Sequence, residues 1–183
     1  MNKIFNLNAS IMVAAMLLLP MAQAATVSKA DYKTGKDRIS ADFKADKAAC
    51  APMTANAKDV CMEEAKSKEK VASAELKYGY TGKPADQTKL MKVKAESAYA
   101  IAKEKCDDKA GNDKDVCVKE AKAMETKALA DAKMGSQIGE AKKDGAEDKR
   151  DADYKVAVEK CDAMSGEAKS SCVASAKSKF GKS

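Results

Sequence analysis

The six cysteines of the chain form three copies of one spacing, in which ten residues separate one cysteine from the next. The copies recur with a step of 56 and then 55 residues. Because no cysteine falls outside this pattern, we predict that each copy closes its own disulfide bond in an oxidising compartment. The predicted pairs are Cys50–Cys61, Cys106–Cys117 and Cys161–Cys172.

The residues between the paired cysteines carry the signals of a helix end followed by a helix start. Pro52 disfavours the helical conformation at the residue before it, so the first helix is predicted to end near the first cysteine. Gly111 and Gly166 suit the left-handed conformation that ends helices. Asn56 and Asn112 are good N-caps for the helices that follow. Each copy is therefore predicted to be a helix, a tight turn and a second helix.

The hairpin geometry itself favours pairing within each copy. In an antiparallel hairpin, residues equidistant from the turn face each other, and the midpoint of the turn lies halfway between the two cysteines. The 4-3-4 spacing of a coiled-coil seam extends outward from the cysteines, through Phe43, Tyr99 and Tyr154 on one side and Ala65, Ala121 and Ala176 on the other. We predict an all-α protein of three disulfide-stapled antiparallel helical hairpins in tandem, elongated or loosely bundled.

Large apolar side chains are scarce in this chain. Leucine, isoleucine, valine and phenylalanine together make up 17 of the 159 residues after Ala24, which is in the range where chains remain disordered. One crosslink that closes a loop of about twelve residues stabilises by roughly 3 kcal/mol in the chain-entropy model, whereas a whole domain has about 5–15 kcal/mol of net stability. We therefore expect the disulfides to decide whether the chain is folded.

Residues 1–24 have the pattern of a secretory signal peptide. Lys3 gives a basic start, Ile11–Leu19 is an apolar run, and residues 22–24 are a small-x-small cleavage site. The run is about half of the ~20 residues needed to cross a bilayer, and no second apolar span follows. We expect cleavage after Ala24 and a periplasmic mature protein without stable membrane insertion.

Two breaks are expected in the helical pattern after the signal peptide. The stretch from Tyr78 to Pro84 predicts a helix break after the first copy. Gly135, Gly139 and Gly145 are expected to interrupt or weaken the helix between the second and third copies. These breaks delimit three predicted hairpin repeats, at 25–84, 85–138 and 139–183.

The charge pattern bears on possible partners. The net charge is +6, and removal of the signal peptide takes away one of the 34 basic residues and none of the 28 acidic ones, which leaves +5. The two signs are interleaved, whereas a nucleic-acid groove needs clustered positive charge. We expect no nucleic-acid binding, and we expect the partner to be an envelope protein or polymer whose identity the sequence does not encode. No pattern predicts an oligomeric state.

Candidate catalytic residues are few. The chain has no histidine and no tryptophan, so acid–base catalysis at neutral pH would depend on carboxylates or on lysines with shifted pKa values. Asp107 and Asp108 form a carboxylate pair, but they follow a predicted helix end, where such pairs are solvated. We expect no catalytic residue and no cofactor.

Binding or sequestration of a soft metal such as copper or zinc is the alternative hypothesis, because cysteine and methionine are soft ligands. Zinc sites favour close cysteine pairs with further cysteine or histidine nearby, and this chain has neither. Four of the ten methionines lie in the signal peptide, and the other six form no Met-x-x-Met cluster. Disulfide formation is the favoured interpretation, so we predict no metal site.

The segment from Cys106 to Lys122, which includes Gly-Asn-Asp-Lys-Asp-Val-Cys-Val-Lys-Glu-Ala-Lys, resembles a set of small exported, Ala/Lys-rich helical proteins of proteobacteria. These are often labelled TolA-like or cell-envelope proteins, and they have no assigned activity. The resemblance to TolA itself is only compositional, so a Tol-Pal role is not carried over. Together with the signal and the repeat, this resemblance favours a non-enzymatic periplasmic protein with a structural, interaction or envelope-stress role.

Overall fold

The computed structural model describes residues 27–182, so the predicted signal peptide at 1–24 lies outside the described residues. The described chain contains helices and no strand. The helices are α1 Lys29–Cys50, α2 Ala55–Thr81, α3 Pro84–Cys106, α4 Gly111–Cys161 and α5 Gly166–Phe180. The predicted all-α fold of disulfide-linked helical hairpins is confirmed.

Each of the three predicted disulfides is present and joins the last residue of one helix to the seventh residue of the next. The Cα atoms of each pair are 5.7 Å apart. The first cysteine of each pair is at most 1% exposed. Helices held this close leave room only for small side chains beside the bond, and the buried alanine four residues after each second cysteine occupies that room: Ala65, Ala121 and Ala176.

The helices form an elongated array in which each one packs only against its neighbours in the chain, within residues 27–182. Hairpin 1 consists of α1 and α2, and hairpin 2 consists of α3 and the first part of α4, residues 111–138. Hairpin 3 consists of the rest of α4, residues 139–161, and α5. Since α4 has 51 residues, it is about 76 Å long at 1.5 Å per residue. Hairpin 3 therefore extends away from hairpin 1.

A glycine allows α1 and α2 to pack closely near the open end of hairpin 1. A Cβ atom added at Gly35 would lie 2.8 Å from both Cδ atoms of Leu76, so this glycine permits a close approach of the two helices. One further turn towards the end, Tyr32 stacks on Tyr80 with 4.5 Å between the ring centroids. Two aromatic rings and one glycine thus close the end of the hairpin that lies opposite the disulfide.

The glycines between the second and third copies do not interrupt the helix, and this part of the prediction is wrong. Gly135, Gly139 and Gly145 all lie inside α4. Glycine costs a helix about 1 kcal/mol relative to alanine, but it keeps the backbone N–H that proline lacks. At the earlier junction, Gly82 has a φ of +61° and Pro84 begins α3. The predicted boundary at 138/139 therefore falls within a continuous helix.

The two asparagines are not the N-caps that the sequence predicts. The N-cap residues are Thr54 for α2 and Ala110 for α4, and neither makes a side-chain capping hydrogen bond. Asn56 and Asn112 each lie at the second position of the helix. Asn56 instead contacts the next hairpin, as described below.

The first residue after each turn has a positive φ. Gly111 and Gly166 have φ values of +53° and +59°, as their predicted left-handed conformation requires, but they begin helices rather than end them. Ala55 lies at the equivalent position in hairpin 1 with a φ of +50°. An alanine pays about 1–2 kcal/mol for this conformation, whereas glycine does not.

We expect Ala55→Gly to stabilise hairpin 1 by about 1 kcal/mol, because glycine removes the backbone strain at this position. Gly111→Ala should destabilise hairpin 2 by a similar amount, which makes it the matched reverse substitution. Urea unfolding followed by circular dichroism at 222 nm measures both changes. The two substitutions should change the free energy of unfolding by similar amounts in opposite directions. Destabilisation by Ala55→Gly would contradict the presence of backbone strain at this position.

Reduction of the three disulfides should unfold most of the chain, because each crosslink contributes roughly 3 kcal/mol in the chain-entropy model and large core side chains are few. The measurement is helical circular dichroism and thermal melting of the mature protein with and without a strong phosphine reductant. The paired substitution Cys161→Ser with Cys172→Ser should remove helicity mainly from hairpin 3. Unchanged melting after reduction would refute a dependence of the fold on these bonds.

Candidate functional site

The three disulfides are the site residues that the sequence predicts. All six cysteines are paired, so the oxidised protein has no thiolate for nucleophilic, redox or metal chemistry. No group of three or more histidine, cysteine, aspartate or glutamate side chains within residues 27–182 is arranged to hold a metal ion. What the disulfides do in the described chain is fix the spacing and the antiparallel direction of each helix pair.

The lysine that recurs eight residues after each first cysteine ties the two ends of the turn together in two hairpins. The Nζ of Lys114 lies 2.8 Å from Oδ1 of Asp107, and that of Lys169 lies 3.0 Å from Oδ1 of Asp162. The hydrogen bond to Asp107 raises the pKa of Lys114 above its ordinary value. In hairpin 1 the aspartate position is Ala51, which cannot form this pair. Asp107, half of the carboxylate pair considered for catalysis, therefore has a structural partner.

Polar contacts join hairpin 1 to hairpin 2 along the α2–α3 interface. Near the cysteine end, the side-chain amide of Asn56 donates to the backbone carbonyl of Glu104 at 3.0 Å, a carbonyl in the last turn of α3 that also accepts from the N–H of Asp107. Two ion pairs follow along the interface, Glu64–Lys105 at 2.8 Å and Glu75–Lys94 at 2.7 Å. The sequence analysis did not identify these residues. The equivalent positions in the next copy are again acidic for the two glutamates and basic for the two lysines.

A further polar cluster lies beside the α2–α3 turn. The carboxylate of Asp86 accepts a hydrogen bond from the Thr81 hydroxyl at 2.7 Å and pairs with Lys77 at 3.0 Å. The hydrogen bond from Thr81, and then the one from Lys77, lower the pKa of Asp86 below its ordinary value. This cluster holds the chain reversal that brings hairpin 2 back along hairpin 1.

A buried acidic side chain lies in the α3–α4 seam. Glu125 is 8% exposed, and its carboxylate accepts a hydrogen bond from Nζ of Lys122 at 2.6 Å. Lys122 also lies over the ring of Tyr99, with 4.8 Å from Nζ to the ring centroid. The recurring aromatic residue of the second copy, Tyr99, therefore lies beside the lysine that hydrogen-bonds the buried Glu125.

An apolar groove of about 850 Å³ runs between the first half of α3 and the middle of α4. Its floor consists of small residues, so that the two backbones are accessible: Ala95, Ala98, Ala128, Ala132, Gly135 and Gly139. Charged side chains such as Lys94 and Asp131 stand at its rim. The groove offers contact area and few polar groups, which suits van der Waals contact rather than proton transfer.

No helix in the described part of the chain combines the length and the apolar character that crossing a bilayer requires. Comparison with known proteins brought no match of any kind: no family, no curated protein and no solved structure is detectably similar to this chain. The assignment of function therefore depends on the chain's own residues.

Replacement of Asn56 by alanine should lower the free energy of unfolding by about 1 kcal/mol, the typical value of one lost hydrogen bond, because the two hairpins lose this bond while the Glu104 carbonyl keeps only the N–H of Asp107 as a donor. Thermal and urea unfolding provide the measurement. Lys58→Ala is the matched control, since Lys58 is an exposed neighbour on the same turn. If both substitutions lowered the free energy of unfolding equally, the hydrogen bond between hairpins 1 and 2 would not be a stabilising contact.

Acid should weaken the α2–α3 turn through Asp86. Because the folded-state pKa of Asp86 is lowered, its contribution is fully present above the unfolded pKa of about 3.9 and is lost as the pH falls through the lower folded value. Asp86→Asn should therefore flatten the decline of stability below about pH 4. The measurement is thermal melting at a series of pH values, with the exposed Asp148→Asn as the control. An unchanged pH profile in Asp86→Asn would contradict the assignment.

Proposed function

We propose that this protein is a non-enzymatic, exported helical protein that acts in the periplasm as a structural or interaction component of the cell envelope. Its disulfides indicate an oxidising, extracytoplasmic environment. Residues 1–24 would direct export, and their cleavage would release the mature chain there. The partner is an envelope protein or polymer.

The observation that carries this proposal is the single-layer architecture. Each helix packs only against its chain neighbours within residues 27–182, so the layer has two open faces instead of one enclosed core. Such an arrangement maximises the surface that a small chain presents to a partner. The disulfides and the inter-hairpin ion pairs keep that surface in one geometry at little cost in apolar residues.

The residues that line the apolar groove between α3 and α4 support binding rather than catalysis. Alanine and glycine make up its floor, and a reaction would need convergent acid, base or nucleophilic groups there. The carboxylates with lowered pKa values, Asp86 and Asp151, are paired with lysines at Lys77 and Lys182. The hydrogen bonds from Thr81 and then Lys77 lower the pKa of Asp86, and the hydrogen bond from Lys182 lowers that of Asp151, so structural contacts account for both shifts.

Three assays test the proposal, and the second compares the mature oxidised protein with its reduced form. Expression of the full chain in a Gram-negative host should yield a periplasmic product that begins at Ala25, without reactive thiols. Purified oxidised protein should bind an isolated envelope component that the reduced protein does not bind. Titration of the oxidised protein with Cu(I) and Zn(II) should give no tight stoichiometric binding, whereas such binding would support the metal-sequestering alternative.

A cytoplasmic product with six free thiols would refute the proposed location. Turnover of an envelope substrate by the purified protein would refute the non-enzymatic role. If the reduced protein bound the same envelope components as the oxidised protein, binding would not depend on the surface that the disulfides hold in place.

A further inference from the structure

Helix α2 packs against other helices through two faces, whereas α4 packs through one. One face of α2 packs on α1 around Cys61 and Ala65, and the other packs on α3 through Glu64 and Glu75. The buried residues of α4 are Ala121, Glu125, Ala132 and Cys161. At about 100° per residue they fall within about 40° of one another around the helix axis, so α3 and α5 lie along the same side of α4.

A second stripe on α4 is exposed and partly apolar. It is about 80° wide at 3.6 residues per turn and is centred about 125° from the buried face. Five of its members are large hydrophobic residues between 43% and 61% exposed: Val116, Met124, Met134, Ile138 and Val156. No helix of the described chain covers this stripe, since α4 contacts only α3 and α5.

Seven charged residues lie on the same stripe: Asp113, Glu120, Lys127, Asp131, Lys142, Lys149 and Lys160. Four of them are placed symmetrically about residue 140, with acidic Glu120 and Asp131 in the first half of α4 and basic Lys149 and Lys160 in the second. None of them has an ion-pair partner within residues 27–182. A stripe of exposed apolar side chains with unpaired charges of opposite sign at its two ends is self-complementary in the antiparallel direction.

The α2–α3 interface of this structure already pairs an acidic set with a basic set at the same spacing. Glu120 and Asp131 stand where α2 has Glu64 and Glu75, one copy earlier. Lys160 and Lys149 stand where α3 has Lys105 and Lys94. The first half of α4 therefore repeats the acidic set with which α2 binds α3, and the second half repeats the basic set with which α3 binds α2.

These two sets cannot meet within one straight helix. Glu120 and Lys160 are 40 residues apart in α4, which is about 60 Å. A chain reversal between them would bring them together, as it does for α2 and α3, but that earlier junction has Gly82 in the left-handed conformation followed by Pro84. No proline occurs after Pro84, and α4 continues as a helix through the equivalent position.

We propose that a second copy of this chain covers the stripe, with the two α4 helices packed antiparallel about a two-fold axis near residue 140. The residue pairs 120/160 and 131/149 are both centred on this position, as is the apolar pair Met124 and Val156. Because a two-fold interface is isologous, every contact forms twice. The dimer thus contains four ion pairs and buries the exposed apolar residues of both copies.

The α4–α4 interface continues the packing of the layer. Each α4 gains on its open face the kind of neighbour that α3 is for α2. Asn112, which corresponds to Asn56, then lies near the Glu159 backbone carbonyl of the second copy, the counterpart of the Glu104 carbonyl that Asn56 binds. The contact between Lys77 and Asp86 has no counterpart, because Ala141 replaces the aspartate. That contact belongs to a turn, and the dimer has no turn at its centre.

The test uses sedimentation equilibrium and light scattering on the mature oxidised protein. The wild type should be a dimer whose Kd rises with salt, because exposed ion pairs are screened. The double variant Glu120→Lys/Asp131→Lys places like charges at all four pairs and should raise Kd by about 10- to 100-fold, since each exposed pair contributes only a small factor. Lys149→Glu/Lys160→Glu should have the same effect.

An equimolar mixture of these two double variants is the decisive sample. Every pair in a mixed dimer is again between opposite charges, so the mixture should dimerise although each variant alone is weakened. Glu140→Lys/Glu147→Lys is the matched control, because it makes the same charge change on the opposite side of α4 and should leave the dimer intact. Circular dichroism establishes that every variant is folded.

Three results would overturn the proposal. A wild type that stays monomeric at high protein concentration would do so, whether α4 remains straight or folds back on itself. A dimer unaffected by either stripe variant would place the interface elsewhere. If the control variant raised the Kd of the dimer as much as the stripe variants do, the effect would come from net charge alone.

Discussion

The disulfide between the last residue of one helix and the seventh residue of the next is the constraint on which the structure depends. It keeps two Cα atoms 5.7 Å apart at the closed end of each hairpin, and this proximity selects alanine as the neighbouring seam residue. Since alanine contributes little buried area, the covalent bond carries stability that a larger core would supply in other domains. The chain can then devote its remaining residues to exposed, charged helix faces.

Several polar contacts join the hairpins. Between α2 and α3 the ties are one amide-to-carbonyl hydrogen bond and a series of ion pairs. Exposed ion pairs are individually weak, so the junction depends on several of them together and on the turn at Gly82. The result is an open layer, which fits a role in binding and leaves α4 with an uncovered face.

Much of the fold could be predicted from local spacing. The cysteine pairing and the helix–turn–helix units follow from the repeat and from helix geometry, whereas the sequence left an elongated and a loosely bundled arrangement both open. The role of Asn56 could not be predicted, because its acceptor is a carbonyl 48 residues away in sequence and nothing local marks it. The groove was likewise not predictable, since its floor combines small residues from two helices that only packing brings together.

The sequence alone determined that the chain is helical, that its cysteines pair within each copy and that its core is thin, because these properties depend on residue type and on spacings within a hairpin. The tertiary structure decided which side chains meet between hairpins, such as Asn56 and the Glu104 carbonyl. The two glycine-containing junctions already differ in sequence by one proline: the first turns at Gly82 and Pro84, while the second continues through Gly139 as helix. The reason is that glycine only lowers helix stability, whereas proline removes a backbone donor and excludes the preceding turn.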